Sequence, residues 1–165
     1  MKLEQNDQIK DVVLNFELQQ NDLILKYCGQ YPVNIENNFT KEDNFKSFPP
    51  DGILKASELD YFYYIFFKEK IIGFYRITDL FFEGSVELHG SFNKYDTFLI
   101  KSYFELTKKF IENISFVVPN KRILSSVHVN NKRAITFLHY LKFEYRFVDT
   151  SNKNFQVFEK IKNTP

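Results

Sequence analysis

Glu87 and His89 are the two residues best spaced for chemistry. They sit two apart in the segment SVELHGSF, residues 85–92. On a strand, residues i and i+2 point to one face, so a carboxylate and an imidazole would stand side by side. An imidazole with its ordinary pKa of about 6.5, or a carboxylate raised by burial, takes a proton readily near neutral pH. Each also has a structural use. Glu87 would serve as well in an ion pair with a Lys or Arg, and His89 as a hydrogen-bonded residue of the core or its rim. A second stretch, HVNNKRAITFLHYLKF at 128–143, places Asn130 and Asn131 between an apolar segment and a short helix. Ala134, Phe137, Leu138 and Leu141 share one face of that helix. Asparagine is a favoured N-cap, which by itself would explain either residue.

Other chemistries find little support. His89, His128 and His139 are not spaced as metal ligands, and there is no cysteine cluster. No Walker loop or dinucleotide glycine fingerprint occurs. The lone Cys28 has no internal disulfide partner and reads as a small buried hydrophobe. No apolar run approaches the ~18 residues of a membrane span, and the polar start MKLEQNDQIKD has no signal-peptide core. A cytoplasmic protein is the expectation.

The elements that must position these residues follow from pattern. At 165 residues, 44 % of them apolar, the chain is expected to form one domain with a real core. Twenty Phe and ten Tyr, with no Trp, predict a core packed largely with rings. YFYYIFF (61–67) and IIGFYRI (71–77), joined by KEK, read as a β-hairpin buried on both faces, with Gly73 marking a bulge. SVELHGSF is the next strand. Residues 96–113 predict a helix whose apolar face carries Leu99, Tyr103, Leu106 and Phe110. RILSSVHV (122–129) predicts a strand, then comes the Asn-led helix, then strands at 143–149 and 155–161. Towards the N-terminus, 11–18 reads as a strand or a helical turn. NDLILKYCG (21–29) reads as a short helix capped by Asn21 or Asp22 and stopped by Gly29. From residue 61 the order is β-β-β-α-β-α-β-β. The crossover helix makes the strands at 85–92 and 122–129 parallel within a mixed sheet. Charge divides along the chain: residues 1–92 carry nine Lys/Arg against fifteen Asp/Glu (−6), and residues 93–165 carry thirteen against six (+7). The basic half is either a solvated face or a surface that meets an anion.

This order, with Asn131, Ala134, Leu141 and Phe143 in NKRAITFLHYLKF and the strand VELHGSF, resembles the GNAT superfamily of acyl-CoA N-acyltransferases over about residues 60–147. Glu87-Leu88-His89 is also similar to some phage-encoded and ribosomal-protein-modifying members. The resemblance implies an α/β (α+β) fold: a mixed, mostly antiparallel sheet with splayed central strands and helices on both faces. It implies a single domain over 1–165, with 1–60 on the acceptor side and 61–165 as core. Acetyl-CoA, or another short acyl-CoA, would be the cosubstrate, with no metal. Its acyl group would pass directly to an amine: a protein N-terminus, a lysine, a small amine or an aminoacyl-tRNA. Glu87 and His89 would be the catalytic bases. Phe92, Lys94, Thr97, Phe98 and Asn131 would contact the cofactor, whose pyrophosphate meets a helix N-terminus. A homodimer is left open, and neither a membrane nor a nucleic acid is an expected partner.

The chain departs from the family pattern where phosphate is usually bound. Thr97, Ile100 and Ser102 take the places of Gln/Arg, Gly and Gly/Ala, and glycines serve there to let backbone approach phosphate. Leu138 takes the place of the usual Tyr acid, and Tyr140 would point about 200° away from it. Two alternatives follow. One is a catalytically inactive GNAT-fold binding or structural protein, such as a phage particle component or host-directed inhibitor. The other is an RNA binder using PNKR and NNKR.

Overall fold

The computed structural model describes residues 14–29, 60–78, 84–92, 99–149 and 153–162. They form one eight-stranded sheet and two helices. The elements are β1 (Glu17–Gln20), β2 (Leu23–Gly29), β3 (Asp60–Phe67), β4 (Lys70–Thr78), β5 (Ser85–Phe92), α1 (Ile100–Val117), β6 (Arg122–His128), α2 (Lys132–Tyr140), β7 (Phe143–Val148) and β8 (Phe155–Lys160). Strand order across the sheet is β1-β2-β3-β4-β5-β6-β8-β7. Every adjacent pair is antiparallel except β5–β6, which is parallel, as the crossover through α1 requires.

The β3–β4 hairpin turns through Lys68 and Glu69, both at positive φ (48° and 67°). Such turns usually take Asn-Gly. Here the strands on either side, rich in rings and β-branched residues, hold the turn closed. The ladder slips between Ile65 and Phe66, beside Gly73, where the sequence predicts a bulge. Two expectations need correction. Residues 21–29 form no helix. Asn21, at φ 52°, turns the chain into β2, whose Leu23 and Leu25 are buried in strand alternation. The same apolar residues also fit helical spacing over so short a run, and pairing with β1 and β3 decides between them. Of the helix expected at 96–113, residues 96–98 lie outside the described residues; the described helix, Ile100–Val117, runs on past 113 and stops just short of Pro119. Its predicted face is correct: Leu99, Tyr103, Leu106 and Phe110 are all buried.

Both described helices share one face of the sheet, since Tyr103 of α1 stacks on Phe137 of α2 at 5.4 Å. Phe110 anchors that layer. Its ring stacks on Tyr75 of β4 at 4.6 Å and meets Tyr63 of β3 edge-on at 4.9 Å. The opposite face carries a second cluster of buried rings, Phe62, Tyr64 and Phe74. Helices there would fall outside the described residues. At the outer margin β7 bulges between Tyr145 and Phe147, leaving Arg146 without a rung. Arg146 instead bonds Glu159 of β8 and pairs with Glu144.

Tyr75 lies opposite Gly90 in the β4–β5 ladder. A Cβ on Gly90 would stand 3.0 Å from two ring atoms of Tyr75, which is pinned between Phe110 and Thr107. Gly90→Ala is expected to lower stability by about 1–3 kcal/mol, read as a shift in urea midpoint with an unchanged slope.

Candidate active site

The parallel pair holds for three rungs, Ser85–Arg122, Val86–Ile123 and Glu87–Leu124. Beyond them β5 stays paired to β4 out to Phe92, and β6 stays paired to β8 out to His128. Each strand follows its antiparallel neighbour, and the two part. The gap opens a cleft of about 830 Å³. Leu88, His89 and Gly90 line one wall and Ser125 to His128 the other, while Tyr75, Tyr103 and Thr107 close it beneath α1.

Both helix starts open on this cleft. Ile100 and Lys101 of α1, and Lys132 and Arg133 of α2, line its mouth. Among the described residues no side chain caps α1, and its first turn from Ile100 holds no acid. A helix start presents N–H groups and a positive dipole end, which favour an anion. Asn131 is the N-cap of α2, its Oδ1 accepting from the Ala134 N–H at 3.2 Å, and it lines the cleft as well. The Asn130 N–H donates to His128 Nδ1 at 3.1 Å, which requires that nitrogen to be unprotonated.

Glu87 and His89 share a face, as strand spacing predicts, with Oε1 and Nε2 3.0 Å apart. The expected direction for Glu87 is reversed. Burial alone would raise its pKa, but the His89 hydrogen bond, together with Ser126 and the nearby Arg76 charge, holds the carboxyl below its usual range. Glu87 is thus an ionised acceptor, hydrogen-bonded to His89 with the Arg76 charge nearby. With Nε2 turned to Glu87, Nδ1 is the ring's remaining acceptor. Arg76 and Thr78 of β4 lie across the ladder from His89 and Glu87. The Thr78 hydroxyl is buried with no hydrogen-bond partner among the described residues.

Of the expected cofactor contacts, Asn131 reaches the cleft. Phe92 ends β5, its side chain outside the described residues, as are Lys94, Thr97 and Phe98. Phe137 lies on the cleft wall. Leu138 is a buried apolar wall residue, and Tyr140 lies exposed at the rim. Pattern reading missed a group of three hydroxyls. Thr107 donates to the Tyr103 carbonyl at 2.7 Å and hydrogen-bonds the Tyr75 hydroxyl. Burial pushes Tyr103 up to about 12 and Tyr75 well above its usual value, so both stay neutral. These residues meet only through the fold, and no local spacing announces them. Of the PNKR cluster, Arg122 is engaged by Glu159 through two hydrogen bonds, at 2.5 and 3.1 Å. Burial pushes the Cys28 thiol up, consistent with an inert side chain. Among the described residues no His/Cys/Asp/Glu group could hold a metal ion, and no helix is long and apolar enough to cross a membrane.

No family model matches the sequence. Among curated proteins, the chain is 32 % identical over 111 residues to serine/threonine-protein kinase 2 of Variola virus, covering 59 % of this chain and 25 % of that protein. It is 30 % identical over 105 residues to the Monkeypox virus protein of the same name, covering 62 % and 24 %. The chain spans about a quarter of the length of these relatives. Solved structures give the fold. The ribosomal-protein-S5-alanine acetyltransferase of Vibrio fischeri matches at TM-score 0.66 and 14 % identity, covering 88 % of this chain and 96 % of that one. A GNAT-family acetyltransferase of Streptococcus pneumoniae matches at 0.63 and 17 %, covering 84 % and 98 %. Campylobacter jejuni N-acetyltransferase PseH, solved with acetyl coenzyme A, matches at 0.51 and 15 %, covering 65 % and 71 %. The chain has the GNAT acetyltransferase fold.

Two measurements check the local chemistry. Asn131→Ala is expected to cost about 1 kcal/mol through loss of the cap, read by denaturant titration. The Glu87 pKa is lower folded than unfolded, so its carboxylate stabilises the fold above the unfolded value of 4.5. That contribution is lost as pH falls through the folded value. Glu87→Gln should be less stable than the parent at neutral pH, and the difference should shrink in acid.

Proposed function

We propose that this protein is an acyl-CoA-dependent N-acetyltransferase that transfers an acetyl group to an amine by direct attack on the thioester. The observation that carries this reading is the parting of β5 and β6 after Glu87 and Leu124, with both helix starts opening on the cleft between them. The residues present fit such a cosubstrate. A largely apolar cleft suits a pantetheine arm, and the α1 start with Lys101, Lys132 and Arg133 suits its phosphates. Bound acyl-CoA would supply an activated carbonyl joined to a thiolate leaving group.

The chain's own residues would then act as follows. Backbone N–H groups in the part of β5 that β6 has left would donate to the carbonyl oxygen as charge develops on it. His89 would accept the proton that the substrate ammonium must lose before its nitrogen attacks the carbonyl carbon, directly or through one water. Ionised Glu87 would orient the ring and stabilise the imidazolium, with Ser126 holding Glu87 in turn. Of the two bases expected from sequence, His89 is the acceptor and Glu87 its support. Leu138 donates no proton to the leaving sulfur, and a thiolate is a fair enough leaving group to depart without help. Asn131 would border the pantetheine arm while it caps α2.

A second reading, a GNAT-fold binding or structural part without catalysis, draws on Leu138 and the absent loop glycines. It expects the gap to be filled by side chains, and Phe137 lines the cleft wall against Tyr103.

Calorimetry with acetyl-CoA, and desulfo-CoA as control, separates the two. Micromolar binding supports the enzyme, whereas no binding at millimolar cosubstrate would leave only the second reading. With an accepted amine in hand, His89→Ala is expected to lower kcat roughly 10²- to 10³-fold with little change in KM for acyl-CoA.

A further inference from the structure

Tyr140 takes no part in the chemistry above. It is 68 % exposed and lies on the rim of the cleft, where Ile100, 51 % exposed, also reaches. Phe104 of α1 meets its ring at 6.3 Å and 88°, and meets Phe137 at 5.7 Å and 88°. These contacts fix the ring from the protein side and leave the rest of it in water. Arg133 and Tyr140 are seven residues apart on α2, two helical turns, so they share a face and stand roughly 10 Å apart along the axis. Lys101 of α1 borders the same opening. Along α2 the groove therefore offers Arg133 at one end and an open aromatic ring at the other. A nucleotide presents its groups in the same order: phosphates, a sugar as spacer, then a planar base. Aromatic rings stack on bases, and arginine and lysine pair with phosphates.

We propose that the shelf formed by Tyr140, with Phe104 behind it, is the subsite for the purine base of the acyl-CoA, and that Tyr140 stacks on that base. The proposal rests on the acyl-CoA reading above. It assigns to this residue the recognition of the cosubstrate's nucleotide end and no role in proton transfer.

The test compares acetyl-CoA with acetyl-pantetheine 4′-phosphate, which keeps the arm and thioester but lacks the adenosine end. Each is titrated into the parent, Tyr140→Ala and Tyr140→Phe. The expected result is about a tenfold loss of acetyl-CoA affinity in Tyr140→Ala, little loss in Tyr140→Phe, and no change for the truncated ligand in any of the three. Equal weakening of both ligands by Tyr140→Ala, or no change in either, would overturn the subsite while leaving the cosubstrate reading standing. Failure of the parent to bind acetyl-CoA at all would overturn both. Melting curves of the variants are expected to match the parent, since the position is exposed.

Discussion

Three rungs of parallel pairing govern this molecule. β5 and β6 meet at Ser85–Arg122, Val86–Ile123 and Glu87–Leu124 and then part, because from Glu87 onward β5 follows β4 and from Leu124 onward β6 follows β8, each in antiparallel pairing. Parallel strands also need a crossover, and that crossover is α1. One constraint thus opens the cleft and sets a helix start beside it. It also leaves β5 backbone donors facing an apolar gap. The two candidate proton-transfer residues stand at the point of divergence, Glu87 on the last rung and His89 two residues beyond it.

Holding a cleft open inside a sheet needs a stiff frame, and aromatic packing supplies one. Tyr63 meets Phe110 edge-on and Phe110 stacks on Tyr75, linking β3, α1 and β4, and Tyr103 with Phe137 carries the contact on to α2. The hydroxyls of Tyr75 and Thr107 satisfy each other within this layer, so the rings bury without leaving a polar atom exposed to an apolar wall. Gly90 permits the arrangement by leaving room for the Tyr75 ring.

Much of this was legible in the sequence, for reasons that differ by element. The β3–β4 hairpin, β5, β6 and the closing pair β7–β8 are long or strongly patterned, and the parallel sense of β5–β6 followed from the helix between them. The Glu87–His89 pair was legible because strand spacing is rigid. The Asn131 cap was legible because its chemistry is local. β2 was not: LILKYCG fits two periods, and only its neighbours choose between them. The direction of the Glu87 shift was also hidden, because it depends on Ser126 and Arg76, which arrive from other strands. So was the hydroxyl contact of Tyr75 with Thr107, 32 residues apart in the chain.

The bulge in β7 has a consequence for how the protein behaves among its own copies. β7 is the outermost strand on its side of the described sheet and shows Tyr145, Phe147 and Val148 to solvent. A flat apolar edge of that kind would invite another strand to dock and so seed aggregation. At Arg146 the ladder skips a residue, and the guanidinium is drawn into contact with Glu159 and Glu144. An incoming strand would find its rungs out of step and would have to strip water from a charged group to continue. The sheet ends itself at β7, and the same ring-rich composition that stiffens the frame is kept from becoming a hazard at its margin.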